Sequence, residues 1–253
     1  MSLRVNSDFN GVTDPDAGAY IAAVEAADGQ LLEFGVGKAI NDFVVGCKQD
    51  KIWDAIKASC ILAGARTLNG ALVPLAGTAP TNFNFVSGDY NRKTGLVGDG
   101  SSKYLDSNRN NNADPQNSKH VSVYINTLGS LGFMGSGAGS TAGITQLYGN
   151  TSYLVRNNQT GSATTIGASA TGLFGTSRNS GTSYAARRGG VQTTVNTISQ
   201  TPNNANLLVF NISTLTYFTN ARLAFYSIGE SLDLALLDAR VTALITAFGV
   251  AIP

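Results

Sequence analysis

The residues of this chain best equipped for recognition chemistry are three tyrosines and three arginines, Tyr148, Tyr153, Tyr184, Arg156, Arg187 and Arg188. Aromatic faces beside guanidinium forks are what glycan or protein recognition uses: the ring covers apolar surface and the fork donates in pairs. The same six residues equally suit the ordinary surface of a β sandwich. Arg187-Arg188 beside Gly189-Gly190 also suits a charged guard against strand-to-strand aggregation.

Carboxylate chemistry is sparse. The glutamates are Glu25, Glu33 and Glu230, and the first two fall in a region that reads as helical. Hydrolysis of glycans by paired carboxylates on one strand therefore lacks its residues. Asp99 and Asp106 remain as an acid pair or as ligands in a calcium loop, with structural turns as the simpler reading. His120, the only histidine, would have to serve as the base for any serine or cysteine nucleophile, and no nucleophile motif surrounds it. Gly135-Ser136-Gly137-Ala138-Gly139 has the glycines of a phosphate loop without the Lys-Ser/Thr or the helix that should follow. Cys47 and Cys60 lie on apolar segments and read as reduced core thiols; with one histidine they make no metal site. No catalytic residue is assigned, and no enzyme is expected.

Composition narrows the partners. The 253 residues carry 17 Lys+Arg against 16 Asp+Glu, only 13% charged. That balance, without a basic stripe, offers nothing for nucleic acid to hold. No uninterrupted apolar run reaches the ~20 residues of a membrane span, and MSLRVNSDFNG lacks the apolar core of a signal peptide. Low charge with 29 Gly suits a turn-rich β sandwich whose surface packs on other proteins.

The elements that must position these residues fall into two parts, an amino-terminal helical unit with its linker (1–75) and a β domain (76–253). Asp14 as N-cap and Pro15 at the first position open one helix, which Gly29 ends. A second is expected over Glu33–Lys48 and a third over Lys51–Ala63, with Trp53 in the core of the unit. A Pro- and small-residue linker follows over 66–87. From there the period is that of strands: Phe83–Val86, a turn-broken run over 94–107, His120–Thr127, Gly132–Gly135, Thr145–Tyr148, Tyr153–Arg156, Thr171–Thr176, Thr182–Arg187 and Val191–Ile198. Asn206–Ser213 and Ala221–Gly229 complete the set. In Leu223–Ile228 both alternating faces are apolar, so this strand should be covered on each side. Leu234, Leu237, Val241, Leu244 and Phe248 then recur at helical spacing over Ser231–Phe248, with Ser231 as the expected cap. The predicted class is mainly β: a jelly-roll sandwich with an amino-terminal helical unit and a carboxyl-terminal helix packed upon it.

Several stretches carry a resemblance. TGLVGDGSSKYLDS, HVSVYINT, SYAARRGGVQTTVNTI and ARLAFYSIGESLDLALLDARVTALITAF resemble the successive strands and closing helix of concanavalin A-like and laminin-G-like jelly rolls. With DPDAGAYIAAVEAADGQ, INDFVVGCK, IWDAIKASCILAGARTL and NFVSGDYNRKTGLVGDGS, nearly the whole chain resembles virion proteins of tailed bacteriophages, particularly those of cyanobacteria. The resemblance implies a structural tail, fibre or capsid-surface component, located in the virion, that contacts other virion proteins and forms a homo-oligomer. It leaves host-surface glycan as the alternative ligand, engaged by the six Tyr and Arg residues. Members with a laminin-G domain often hold calcium on acidic loops, which makes calcium the one cofactor to consider; the resemblance matches none of those ligands by position, and Asp99 and Asp106 stand as candidates only on their own turn or calcium-loop reading.

Overall fold

The computed structural model describes residues 11–138, 141–159, 161–213 and 216–253. The helices are α1 (Pro15–Asp28), α2 (Phe34–Gln49), α3 (Leu68–Ala71) and α4 (Leu234–Ala251). The strands are β1 (Ile56–Ile61), β2 (Thr81–Phe83), β3 (Tyr90–Asn91), β4 (Gly95–Val97), β5 (Tyr104–Asn110), β6 (Lys119–Thr127), β7 (Leu131–Gly135), β8 (Ile144–Gly149), β9 (Ser152–Gln159) and β10 (Thr164–Ala168). They continue with β11 (Gly172–Arg178), β12 (Ser183–Arg188), β13 (Val191–Asn196), β14 (Asn206–Val209) and β15 (Arg222–Gly229).

Two antiparallel sheets face one another. The larger runs β13-β12-β11-β6-β15-β4-β3, with β1 pairing the far half of β15; the smaller runs β10-β9-β8-β7-β14-β5-β2. The fold is the predicted mainly β sandwich, and α1, α2 and α4 add a third layer on the outer face of the larger sheet. Each interface has its own core. Between the sheets lie Leu96, Leu105, Val121, Val123, Phe133, Phe174, Leu223, Tyr226 and Ile228. Between sheet and helices lie Ile21, Val36, Phe43, Leu173, Phe225, Leu237, Val241 and Phe248.

Strand β15 sits at the junction. Leu223, Tyr226 and Ile228 serve the inter-sheet core while Ala224 and Phe225 serve the helical one, so both of its faces are dry, as its sequence predicts. Phe225 meets Phe43 of α2 edge to face, 5.8 Å between centroids. Helix α4 lies against α2, β11 and β12. It is the one helix among the described residues long and apolar enough to cross a bilayer. Here its stripe of Leu234, Leu237, Val241, Leu244 and Phe248 is spent on the protein's own core.

Helix ends follow ordinary chemistry. Asp14 Oδ1 accepts from the N–H groups of Asp16 (2.9 Å) and Ala17 (3.3 Å), and Gly29 closes α1 at φ 65°. Helix α4 differs from expectation at its start: the cap is Asp233, accepting from Ala235 N at 2.7 Å, while Ser231 Oγ lies 3.2 Å from Ser118 Oγ.

The expected third helix does not form. Lys51 turns into the left-handed region (φ 58°), Trp53–Ala55 make one 3-10 turn, and Ile56–Ile61 become β1. The misreading has a physical cause. Ile52, Ile56 and Cys60 recur every four residues, as on one face of a helix, while Ile56, Ala58 and Cys60 alternate with Lys57 and Ser59, as in a strand, and a stretch this short fits both periods. Trp53 is half-buried at the rim, with the Lys48 ammonium 5.7 Å from its ring centroid. The expected linker is also structured. Asp28 accepts from Arg66 N (2.7 Å), Thr67 N (2.8 Å) and Thr67 Oγ1 (2.6 Å), α3 follows, and β2 pairs with β5. Cys47 and Cys60 are buried and unpaired, their thiols pushed up to about 12 by burial.

His120 pins β6 to β15. Its Nδ1 faces the Glu230 carbonyl at 2.6 Å, an atom that only accepts, so Nδ1 carries the proton and Ser227 Oγ donates to Nε2 at 2.6 Å. Complete burial lowers its pKa to about 4. The unfolded chain therefore takes up a proton that the folded chain refuses. Stability is full above pH ~6.5 and falls as pH drops from there toward 4, by about 3 kcal/mol in all. Urea unfolding between pH 6.5 and 4.5, above the carboxylate range, should show this slope, and His120→Gln should flatten it. At the junction strand, Phe225→Ala should cost about 3–5 kcal/mol by the same measurement, and Tyr226→Phe, which keeps the ring, less than about 1.5 kcal/mol.

Candidate functional site

The six predicted recognition residues do not meet at one place. Tyr153 is fully buried between the sheets, stacked on Phe174 at 4.2 Å and edge-on to Phe133, with its hydroxyl donating to the Ala170 carbonyl at 3.0 Å. Tyr184 is buried too. Its hydroxyl spans the sandwich to donate to Gln159 Oε1 at 2.7 Å, and the Arg178 guanidinium lies 4.8 Å from its ring centroid. As core side chains these two offer no face to a ligand, which corrects the expectation for both. Tyr148 and Arg156 lie on the outer face of the smaller sheet, the tyrosine half-buried and the arginine buried. Arg188 turns away, donating from Nε to the Ile166 carbonyl of β10 at 2.8 Å.

The two candidate calcium aspartates serve turns. Asp99 Oδ1 accepts from the N–H groups of Ser101, Ser102 and Lys103 at 2.8–3.0 Å, and Oδ2 from Ser102 Oγ at 2.6 Å. Partial burial would raise its pKa, but these donors outweigh it and hold the carboxyl far below the usual range. Asp106 accepts from Asn108 N at 2.8 Å and from Asn206 Nδ2 at 3.2 Å. Among the described residues no group of three or more His, Cys, Asp or Glu side chains could hold a metal ion.

Arg187 leads to a different site. Its Nε donates to Asp238 Oδ2 of α4 at 2.7 Å, and Thr242 Oγ1, one turn along, donates to the other carboxylate oxygen at 3.2 Å. That fixed carboxylate lies at the wall of a depression of ≈ 370 Å³ between α4 and the ends of β6, β11 and β12. Tyr124 and Asn126 of β6 form one side, Thr171 and Gly172 the floor, and the Gly189-Gly190 turn the other side. Each part has a sequence cause. Tyr124 and Asn126 are alternate residues of β6, on the face away from the inter-sheet core. Gly189 and Gly190 (φ 47° and 82°) make a two-residue hairpin turn with positive φ at both positions, and Gly190 leaves open space where a side chain would stand. Asn126 Nδ2 is turned to the Thr94 carbonyl at 2.8 Å, so its amide oxygen is left for a ligand's donor.

Carboxylate, amide, hydroxyls, an aromatic ring and bare backbone around one shallow polar depression are chemistry for holding a polyhydroxylated ligand. They contain no poised nucleophile. Ser227 and His120 do form a serine-histidine contact, but both are fully buried, beyond the reach of substrate.

Sequence reasoning missed Asp238, Tyr124, Asn126 and Thr242. One signal was present. Asp238 falls four residues after Leu234 and three before Val241, a carboxylate on the stripe that α4 turns inward, where an unpaired charge would be costly.

No family model matches the sequence, and no curated protein matches it. Among solved structures, the chain is similar to the crystal structure of the botulinum neurotoxin serotype D binding domain, at 11% identity and a TM-score of 0.47, covering 75% of this chain and 51% of that one. It is similar to the binding domain of botulinum neurotoxin DC, solved in complex with rat synaptotagmin II, at 11% identity and TM-score 0.47, covering 77% and 52%. It is also similar to domain 4 of AbnA, an extracellular arabinanase from Geobacillus stearothermophilus solved with arabinotriose, at 14% identity and TM-score 0.39, covering 67% and 82%. The chain spans about half the length of the neurotoxin domains it matches.

Proposed function

We propose that this chain is a non-enzymatic carbohydrate-binding module carried on a tailed-phage virion. The observation that supports it is the depression around Asp238, whose carboxylate is oriented by Arg187 and Thr242 and stands opposite Tyr124 and Asn126. Sugar hydroxyls donate to a carboxylate and an amide oxygen, accept from a tyrosine hydroxyl and from backbone N–H groups, and lay their C–H face on an aromatic ring. The virion setting rests on the sequence resemblance to phage structural proteins. In that setting the sandwich engages host-surface glycan while other faces contact neighbouring virion proteins, and no bond is broken in the sugar.

Glycan-array screening, followed by calorimetry on the best hits, tests the reading. Tyr124→Ala and Asp238→Asn should each weaken binding at least about tenfold, whereas Tyr148→Ala, on the opposite sheet, should leave it unchanged. Reducing ends should not accumulate with bound glycan. The absence of any glycan binding, or full affinity in both variants, would refute the module. Immunogold labelling of purified particles with antibody to this chain tests the virion setting separately.

A further inference from the structure

The sandwich has unpaired sheet edges, and they are treated unequally. An open edge is a template for another strand, so proteins blunt edges with bulges, prolines, charges or extreme shortness. In the smaller sheet, β10 carries a register shift between Thr165 and Gly167, and Arg188 reaches over to occupy the Ile166 carbonyl. At that sheet's other end β2 is three residues long and follows Pro80. In the larger sheet β3 has two residues and runs into Arg92-Lys93. The outer side of β1 is taken up by Leu75 and Ala76, which exchange backbone hydrogen bonds with Ser59 at 2.8–3.4 Å.

Strand β13 has none of these devices. Val191-Gln192-Thr193-Thr194-Val195-Asn196 contains no charge, proline, glycine or bulge, and every residue except Val195 is exposed. Ile198 just beyond it is 68% exposed. The hairpin sets which backbone groups point outward. A two-residue turn makes Arg188↔Val191 a hydrogen-bonded pair, and the alternation then gives Ala186↔Thr193 and Tyr184↔Val195. The N–H and C=O groups of Gln192, Thr194 and Asn196 therefore face away from β12.

From this we infer that β13 is the contact through which two copies of the chain pair, antiparallel about a two-fold axis, into one continuous sheet. The side chains are what select a second copy. Outward backbone groups must meet outward groups, and the one register that pairs all three outward residues of each strand puts Thr194 opposite Thr194 of the partner subunit at the axis. In that register Gln192 faces Asn196 of the partner subunit, amide to amide. Thr193 faces Val195 of the partner subunit, β-branched to β-branched. Every pair is chemically matched and none sets like charges together.

Sedimentation equilibrium on the full chain over a micromolar series tests this. The expected result is a species of twice the 26.2 kDa of the single chain. Thr194→Pro deletes an outward N–H without touching the β12 ladder, and Thr194→Lys sets two charges face to face at the axis. Each should raise the dimer dissociation constant at least about tenfold, with thermal unfolding near that of the wild type as the folding control. The register has its own test. Gln192→Lys with Asn196→Lys should abolish pairing, and Gln192→Lys with Asn196→Asp should retain it. A single-chain mass at every concentration, or a dimer indifferent to both Thr194 changes, overturns the inference. Equal loss in the like-charge and opposite-charge pairs also overturns it.

Discussion

The architecture depends on one strand being dry on both sides. β15 contributes Tyr226 and Ile228 to the space between the sheets and Phe225 to the space beneath the helices, so neither core exists without it. A strand so placed must satisfy its backbone entirely within the sheet, and it does, with β6 along one side and β4 and β1 sharing the other. Once that is fixed, the helices have one place to go. Arg240 of α4 clasps the Asp50 carboxylate at the end of α2 at 2.7 and 3.0 Å, and the ring of Phe248 lies against Gly64, where any side chain would collide with it. The depression around Asp238 is a by-product of this docking, since α4 supplies its wall only by lying across β11 and β12.

Polar groups set the interior as firmly as apolar ones. Arg178 is fully buried and makes its hydrogen bonds to carbonyls rather than to a carboxylate: Asn157, Ser180, Ser183 and Thr197 at 2.9–3.2 Å. Nearby, Lys119 donates to the Asn111 carbonyl at 2.9 Å, and burial pulls its pKa down to about 8. Asp114, bonded to Arg109, faces Lys119 at 3.6 Å. A buried cation is costly without partners. These bonds tie β9 to the β11–β12 connection across the sandwich, so a register error in either sheet would strand a charge.

Much of this was legible in the residues. The apolar runs of β15 and the stripe of α4 are local patterns, and local patterns survive in sequence. Asp14-Pro15 and Gly29 marked α1 for the same reason. The third helix was misread because Ile52, Ile56 and Cys60 keep a four-residue spacing across the same stretch in which Ile56, Ala58 and Cys60 keep a two-residue one, so the residues fit both periods and only the pairing with β15 decides between them. The site was less legible still. Its parts come from residues 124, 126, 171, 172, 189, 190, 238 and 242, which nothing short of the fold brings together. Residue type alone put Tyr153 and Tyr184 among the candidates. Their position on the inward face of each strand, fixed by pairing register, decides against them.

The pairing of β1 with β15 also constrains how the chain comes into being. Ser59 and Tyr226, joined by a 2.6 Å hydrogen bond from hydroxyl to carbonyl, are 167 residues apart. During synthesis the amino-terminal strand leaves the ribosome long before its mate exists, and α2 must wait equally long for α4. Contacts of such sequence separation make folding slow and hold it back until β15 and α4 have been synthesised. Through that interval Ile56–Ile61, buried in the finished fold except for half-buried Lys57, lacks its partner strand, and the exposed Ile56, Ala58, Cys60 and Ile61 are the kind of surface that holding chaperones cover.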